Sequence, residues 1–86
     1  MSLRILLVEK DVTTADLLVP SLERKGYQVS VSSSQRQALG RLRATPPDLL
    51  VVDVASFGNT GYGVCSSVRG QLPVLAYGVR PEKGRT

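Results

Sequence analysis

The sequence predicts an α/β layered domain built on a parallel sheet, and three observations predict it. Leu3 to Val8 and Asp48 to Val54 are almost unbroken apolar runs, as expected of strands covered on both faces. Stretches with apolar residues at helical spacing separate the strand-like runs. The resulting order is strand, helix, strand, helix, strand, helix, strand, which favours parallel pairing through right-handed crossovers.

Each element has a local reason. The first strand, Leu3 to Val8, is rich in strand formers. Asp11 or Thr13 then supplies a helix N-cap, since either side-chain oxygen can accept from a free backbone N–H. Ala15, Leu18, Val19 and Leu22 form the apolar stripe of the first helix, and Lys25-Gly26 ends it with a cation followed by glycine. Pro20 lies inside that helix, where it removes a hydrogen bond and is expected to kink it. Tyr27 to Val31 alternates apolar and polar residues, the pattern of a strand wet on one side. Ser32 to Ser34 cap a second helix with Ala38, Leu39 and Leu42 inward, weakened at Gly40 by about 1 kcal/mol relative to alanine and ended by Pro46-Pro47.

Asp48 to Val54 is the most hydrophobic strand and is expected at the sheet centre. A loop with Gly58, Asn59, Gly61 and Gly63 leads to a short helix from about Gly61 to Arg69. Leu72 to Tyr77 forms the fourth strand, with Pro73 tolerated near its start. One domain over residues 1–77 and a basic, frayed tail over 78–86 are expected.

Composition removes several kinds of function. The 86 residues contain no histidine and one cysteine, Cys65. This excludes Ser-His triads, His-ligated metals and an internal disulfide. Cys65, with Val64 and Val68 at helical spacing, reads as core filler. No apolar run approaches the roughly 20 residues of a spanning helix, and Met1 to Glu9 lacks the apolar core of a signal peptide, so a cytoplasmic location is expected. The net charge is +4, with Arg80, Lys83 and Arg85 in the last seven positions. Aromatic residues are few and not interleaved with the charges, so a solvated surface is favoured over nucleic-acid binding, which strong salt dependence would reveal.

Ligands of open parallel sheets bind beyond the carboxyl ends of the strands. Glu9 follows the first strand and Asp53 ends the third, so neighbouring strands would bring the two carboxylates together. Such a pair repels unless a cation or proton intervenes, and hard oxygen ligands suit magnesium. An aspartate placed there can also accept a phosphoryl group. The alternative is that both acids are ordinary loop caps.

The chain resembles the receiver domains of two-component response regulators from Leu3 to Tyr77. The resemblance rests on Ile5-Leu6-Leu7-Val8-Glu9-Lys10-Asp11, Gly26-Tyr27-Gln28-Val29, Ala38-Leu39 and Pro47-Asp48-Leu49-Leu50-Val51-Val52-Asp53. Gly61, Arg69 and Leu72-Pro73-Val74-Leu75 continue it. It implies a flavodoxin-like (CheY-like) doubly wound parallel sheet in the order 2-1-3-4-5, truncated here to about four strands and three helices. It implies Asp53 as phosphoacceptor, with Glu9 and Asp53 as magnesium ligands. The second metal acid of the family is replaced by Lys10, and Asp11 next to it points elsewhere at a strand end. The hydroxyl residue after the fourth strand is replaced by Gly78, and Ser56-Phe57 stand where the family has Met or Leu followed by Pro. The fifth strand with its lysine is missing, and Lys83 is a tail residue rather than a substitute.

These departures imply a pseudo-receiver, a non-enzymatic docking or dimerisation module with impaired phosphorylation. The alternative is a phosphorelay receiver phosphorylated on Asp53 by a histidine kinase. An aspartate-based phosphotransferase would need a second metal acid and a nearby lysine. A nucleotide-binding domain would need a glycine-rich turn where Glu9-Lys10-Asp11 stand. Without a fifth strand, the fourth becomes an edge without blunting charges, so Leu72, Val74, Leu75 and Tyr77 are the expected interface to another protein or a second copy.

Overall fold

A computed structural model describes residues 3–53, 63–64, 68 and 70–77. Its elements are β1 (Arg4–Val8), α1 (Val12–Glu23), β2 (Gln28–Ser32), α2 (Gln35–Ala44), β3 (Leu49–Asp53) and β4 (Val74–Tyr77). The strands form one parallel sheet in the order β2-β1-β3-β4. This is the doubly wound arrangement with the first four strands in their expected places.

Alternation along the strands divides the core into two layers. Leu6, Val8, Leu50 and Val52 face α2, where Ala38 and Leu42 meet them together with Val64 and Val68. Ile5, Leu7 and Val51 face α1, where Ala15 is buried and Leu18, Val19 and Leu22 pack at the margin. β1 and β3 are therefore apolar at successive positions because both of their faces are covered. β2 is wetter, with Gln28 and Ser30 exposed between half-buried Val29 and Val31.

The helix ends follow their side chains. Asp11 is the N-cap of α1: its Oδ1 accepts from the Thr13 N–H and its Oδ2 from the Thr14 hydroxyl, both at 3.0 Å. Of the two sequence candidates, Asp11 thus caps the helix. Ser34 caps α2 by accepting from the Gln37 N–H at 3.1 Å. After α1 the chain turns at Gly26, whose φ of 95° lies in the left-handed region that a side chain disfavours.

Pro20 does not end α1, which is helical through Glu23. The carbonyl that loses its donor belongs to Asp16, and Asp16 and Pro20 are both exposed, so water can replace the missing bond.

The expected third helix, Gly61 to Arg69, falls mostly outside the described residues, although Gly63 and Val64 have helical backbone. The Gly58–Asn59 loop, Ser56, Phe57, Cys65, Gly78 and the basic tail with Lys83 also lie outside them. β4 begins at Val74 rather than Leu72: Pro73 cannot donate, but its carbonyl accepts from the Leu50 N–H at 3.1 Å and starts the pairing with β3.

Candidate functional site

The sheet register places three polar side chains in one row at the carboxyl ends of the strands. Val8 pairs with Val52, so Glu9 and Asp53, each one residue further on, stand side by side. Asp53 in turn pairs with Tyr77. Alternation puts this row on the same sheet face as Leu7, Val51 and Leu75, the face that α1 partly covers. Glu9 is 1% exposed and Asp53 7%, so neither carboxylate is a solvated loop cap.

Glu9 has both of its oxygens engaged. Oε1 accepts from the Tyr77 hydroxyl, and Oε2 accepts from the backbone N–H of Asp11 at 3.0 Å. Strands stand about 4.8 Å apart, and Glu9 and Tyr77 belong to strands separated by β3. The Tyr77 phenol therefore reaches across the column of Asp53 to meet Glu9. This contact was not foreseen from the sequence, where Tyr77 was expected only at the strand-four edge. The signal that carries it is parity: Tyr77, Asp53 and Glu9 share a face only in this register.

The remaining candidates are placed differently. Lys10 is exposed, immediately after the row. Asp11 turns to α1, and both of its oxygens serve the cap, so it contributes no carboxylate to the row. Leu72 and Val74 are half-buried against the α2 layer, whereas Leu75 lies on the α1 face and is 56% exposed.

This donor set does not fit a magnesium ion held by paired acids. Magnesium requires near-octahedral oxygen ligation with little distortion. The row offers Asp53 and a Glu9 whose oxygens already accept from a phenol and an amide. Among the described residues, no group of three or more acidic or cysteine side chains is gathered for a metal.

Burial pushes the Tyr77 phenol well above its ordinary pKa, and the hydrogen bond to Glu9 and the negative charges of Glu9 and Asp53 push it in the same direction. A phenol whose pKa is raised by folding favours the fold while it stays protonated. That contribution is complete below the ordinary tyrosine pKa of about 10 and is lost as pH rises beyond it. Ultraviolet titration is expected to show a late tyrosinate component that coincides with alkaline unfolding and is absent in Tyr77→Phe.

Comparison with known proteins bears on the fold and its family. No protein-family model matches the chain. It is 38% identical over 73 residues to the transcriptional regulatory protein AfsQ1 of Streptomyces coelicolor, covering 83% of this chain and 32% of that protein. It is 34% identical over 86 residues to the alkaline phosphatase synthesis transcriptional regulatory protein PhoP of Bacillus subtilis, covering 96% and 36%. The chain thus spans about a third of the length of these curated relatives. Among solved structures, the N-terminal domain of a response regulator receiver protein from Methanoculleus marisnigri superposes with a TM-score of 0.80 at 29% identity, covering 95% of this chain and 71% of that one. With the parallel order β2-β1-β3-β4 and an acidic row at its carboxyl edge, the chain belongs to the receiver domains of response regulators.

Proposed function

We propose that this receiver domain signals by docking to protein partners and that Asp53 is impaired as a phosphoacceptor. The observation that carries this reading is the state of Glu9. In receiver domains magnesium occupies the phosphorylation site. Here the acid beside Asp53 accepts from Tyr77 and from the Asp11 N–H, and an ammonium, Lys10, stands where the second acid belongs. A phenol and an ammonium can stabilise two carboxylates, but neither can orient a phosphoryl oxygen and a donor together as a metal does.

Docking is supported by the fourth strand. β4 is the outer strand of the described sheet, and its residues Leu75 and Ala76 are exposed with no charge among Val74 to Tyr77. An uncharged edge of this kind can pair with another chain. A histidine kinase and a second copy of this chain are both candidate partners.

Magnesium titration followed through backbone amide resonances tests the reading. Millimolar magnesium is expected to leave Glu9, Lys10 and Asp53 unshifted. Saturable shifts confined to these residues would show a working metal site and would favour phosphorylation on Asp53.

A further inference from the structure

The acidic row lies at the carboxyl ends of the strands, and a pair of arginines meets at the other end of the sheet. Arg4 begins β1 and has the parity of Leu6 and Val8, so its side chain stands on the face that α2 covers. Ser30 of β2 pairs with Leu6 and shares that face. Arg41 lies in the last turn of α2. With Thr45 and Pro47 of the turn that follows, these residues line a cleft of about 130 Å³. Arg4, Ser30, Arg41 and Thr45 are all exposed, so solvent reaches it.

No acid stands among the described lining residues to balance the two guanidinium groups. Arg4 Nη2 donates to the Pro46 carbonyl at 2.7 Å, which anchors that guanidinium at the rim and engages one of its five N–H donors. The Arg41 guanidinium has no hydrogen bond or ion pair among the described residues. Asp48 accepts from the backbone N–H of Arg4, but it lies with Leu7 and Leu49 on the opposite face of the sheet. A cation in the last turn of a helix complements the helix dipole, which accounts for Arg41 alone. Arg4 starts a strand and meets the same cleft without that reason. Two like charges in one cleft repel, and an anion between them turns the repulsion into attraction.

We infer that this cleft binds a phosphate group, held by the Arg4 and Arg41 guanidinium groups, with the Ser30 and Thr45 hydroxyls donating to its remaining oxygens. The planar fork of arginine matches two phosphate oxygens at once, and hydroxyls supply further donors. Phosphate is favoured over a carboxylate because donor-bearing side chains come from β1, β2, α2 and the turn after it. Phosphate presents oxygens in several directions, whereas a carboxylate presents two in one plane. The cleft stands roughly 16 Å along β1 from Glu9, five residues away, so it is separate from the acidic row. The inference goes beyond the docking reading and does not depend on it.

Titration of the full chain with sodium phosphate, followed through backbone amide resonances at an ionic strength held constant with chloride, tests it. Saturable shifts are expected at Arg4, Ser30, Arg41 and Thr45, with Glu9 and Asp53 unmoved. Arg41→Gln is expected to weaken binding at least about tenfold. Arg43→Gln removes the same charge from α2 but on another side of the helix, beside Leu39 and Gly40, and is expected to stay within about twofold of the wild type because distant charges are screened. Both arginines are exposed, and circular dichroism confirms that the variants are folded. The same titration with glycerol phosphate separates the sources. Tighter binding than that of inorganic phosphate identifies a phosphate carried on a larger molecule, and equal or weaker binding identifies the free ion. Shifts that fail to saturate, or that spread over all the arginines, overturn the inference. Equal weakening by Arg41→Gln and Arg43→Gln overturns it as well.

Discussion

Leu50→Ala is expected to remove a large share of the chain's stability and to lower its melting temperature more than any exposed substitution does. Leu50 is fully buried on β3, between β1 and β4, and belongs to the layer beneath α2. Truncating a buried leucine costs about 2–5 kcal/mol, because transfer energy is lost and a cavity remains. A domain of 86 residues has a total stability of only about 4–13 kcal/mol. Such a loss shifts the melting temperature by about 8–40 °C at this size. A thermal melt followed by circular dichroism measures it. Leu75→Ala, on the exposed outer strand, provides the contrast and is expected to shift the midpoint by a few degrees at most.

The second large effect is a gain of metal binding. Lys10→Asp with Tyr77→Phe is expected to bind magnesium at least about tenfold more tightly than the wild type. The first substitution replaces a cation beside the row with a carboxylate. The second releases Glu9 Oε1 from the phenol. Opposite charge attracts and like charge repels over these distances, so both changes act in the same direction. The exchange costs stability, since a hydrogen bond to a charged group is worth about 1.5–3 kcal/mol. Tyr77→Phe alone is therefore expected to lower the melting temperature, and magnesium to restore part of it in the double variant by mass action. Calorimetric titration separates the two contributions. An unchanged magnesium affinity would mean that Lys10 and Tyr77 do not control the site.

Much of the fold was legible in the sequence because its causes are local. The apolar runs at Leu3 to Val8 and Asp48 to Val54 marked strands covered on both faces, and Lys25-Gly26 marked a helix end that the structure places there. Glu9 and Asp53 could be assigned to strand ends from the order of elements, while the strand order that makes them neighbours followed from the resemblance to receiver domains. What was not legible depends on register. Tyr77 meets Glu9 only because β4 pairs with β3 as Asp53 with Tyr77, and β3 with β1 as Val52 with Val8. A shift of one residue in either pairing would turn Tyr77 to the opposite face. Asp11 and Thr13 were equivalent as caps in the sequence, and only the backbone after Glu9 distinguishes them.

Glu9 thereby acquires two partners within the chain, and Asp53 is left without a matched set of metal acids. The most direct test is the intact mass of the protein after incubation with magnesium and a small-molecule phosphodonor, beside an Asp53→Asn control. The expected result is no added phosphoryl group in either protein. A phosphoryl group gained by the wild type and absent from Asp53→Asn would contradict the account and identify the domain as a working phosphoacceptor.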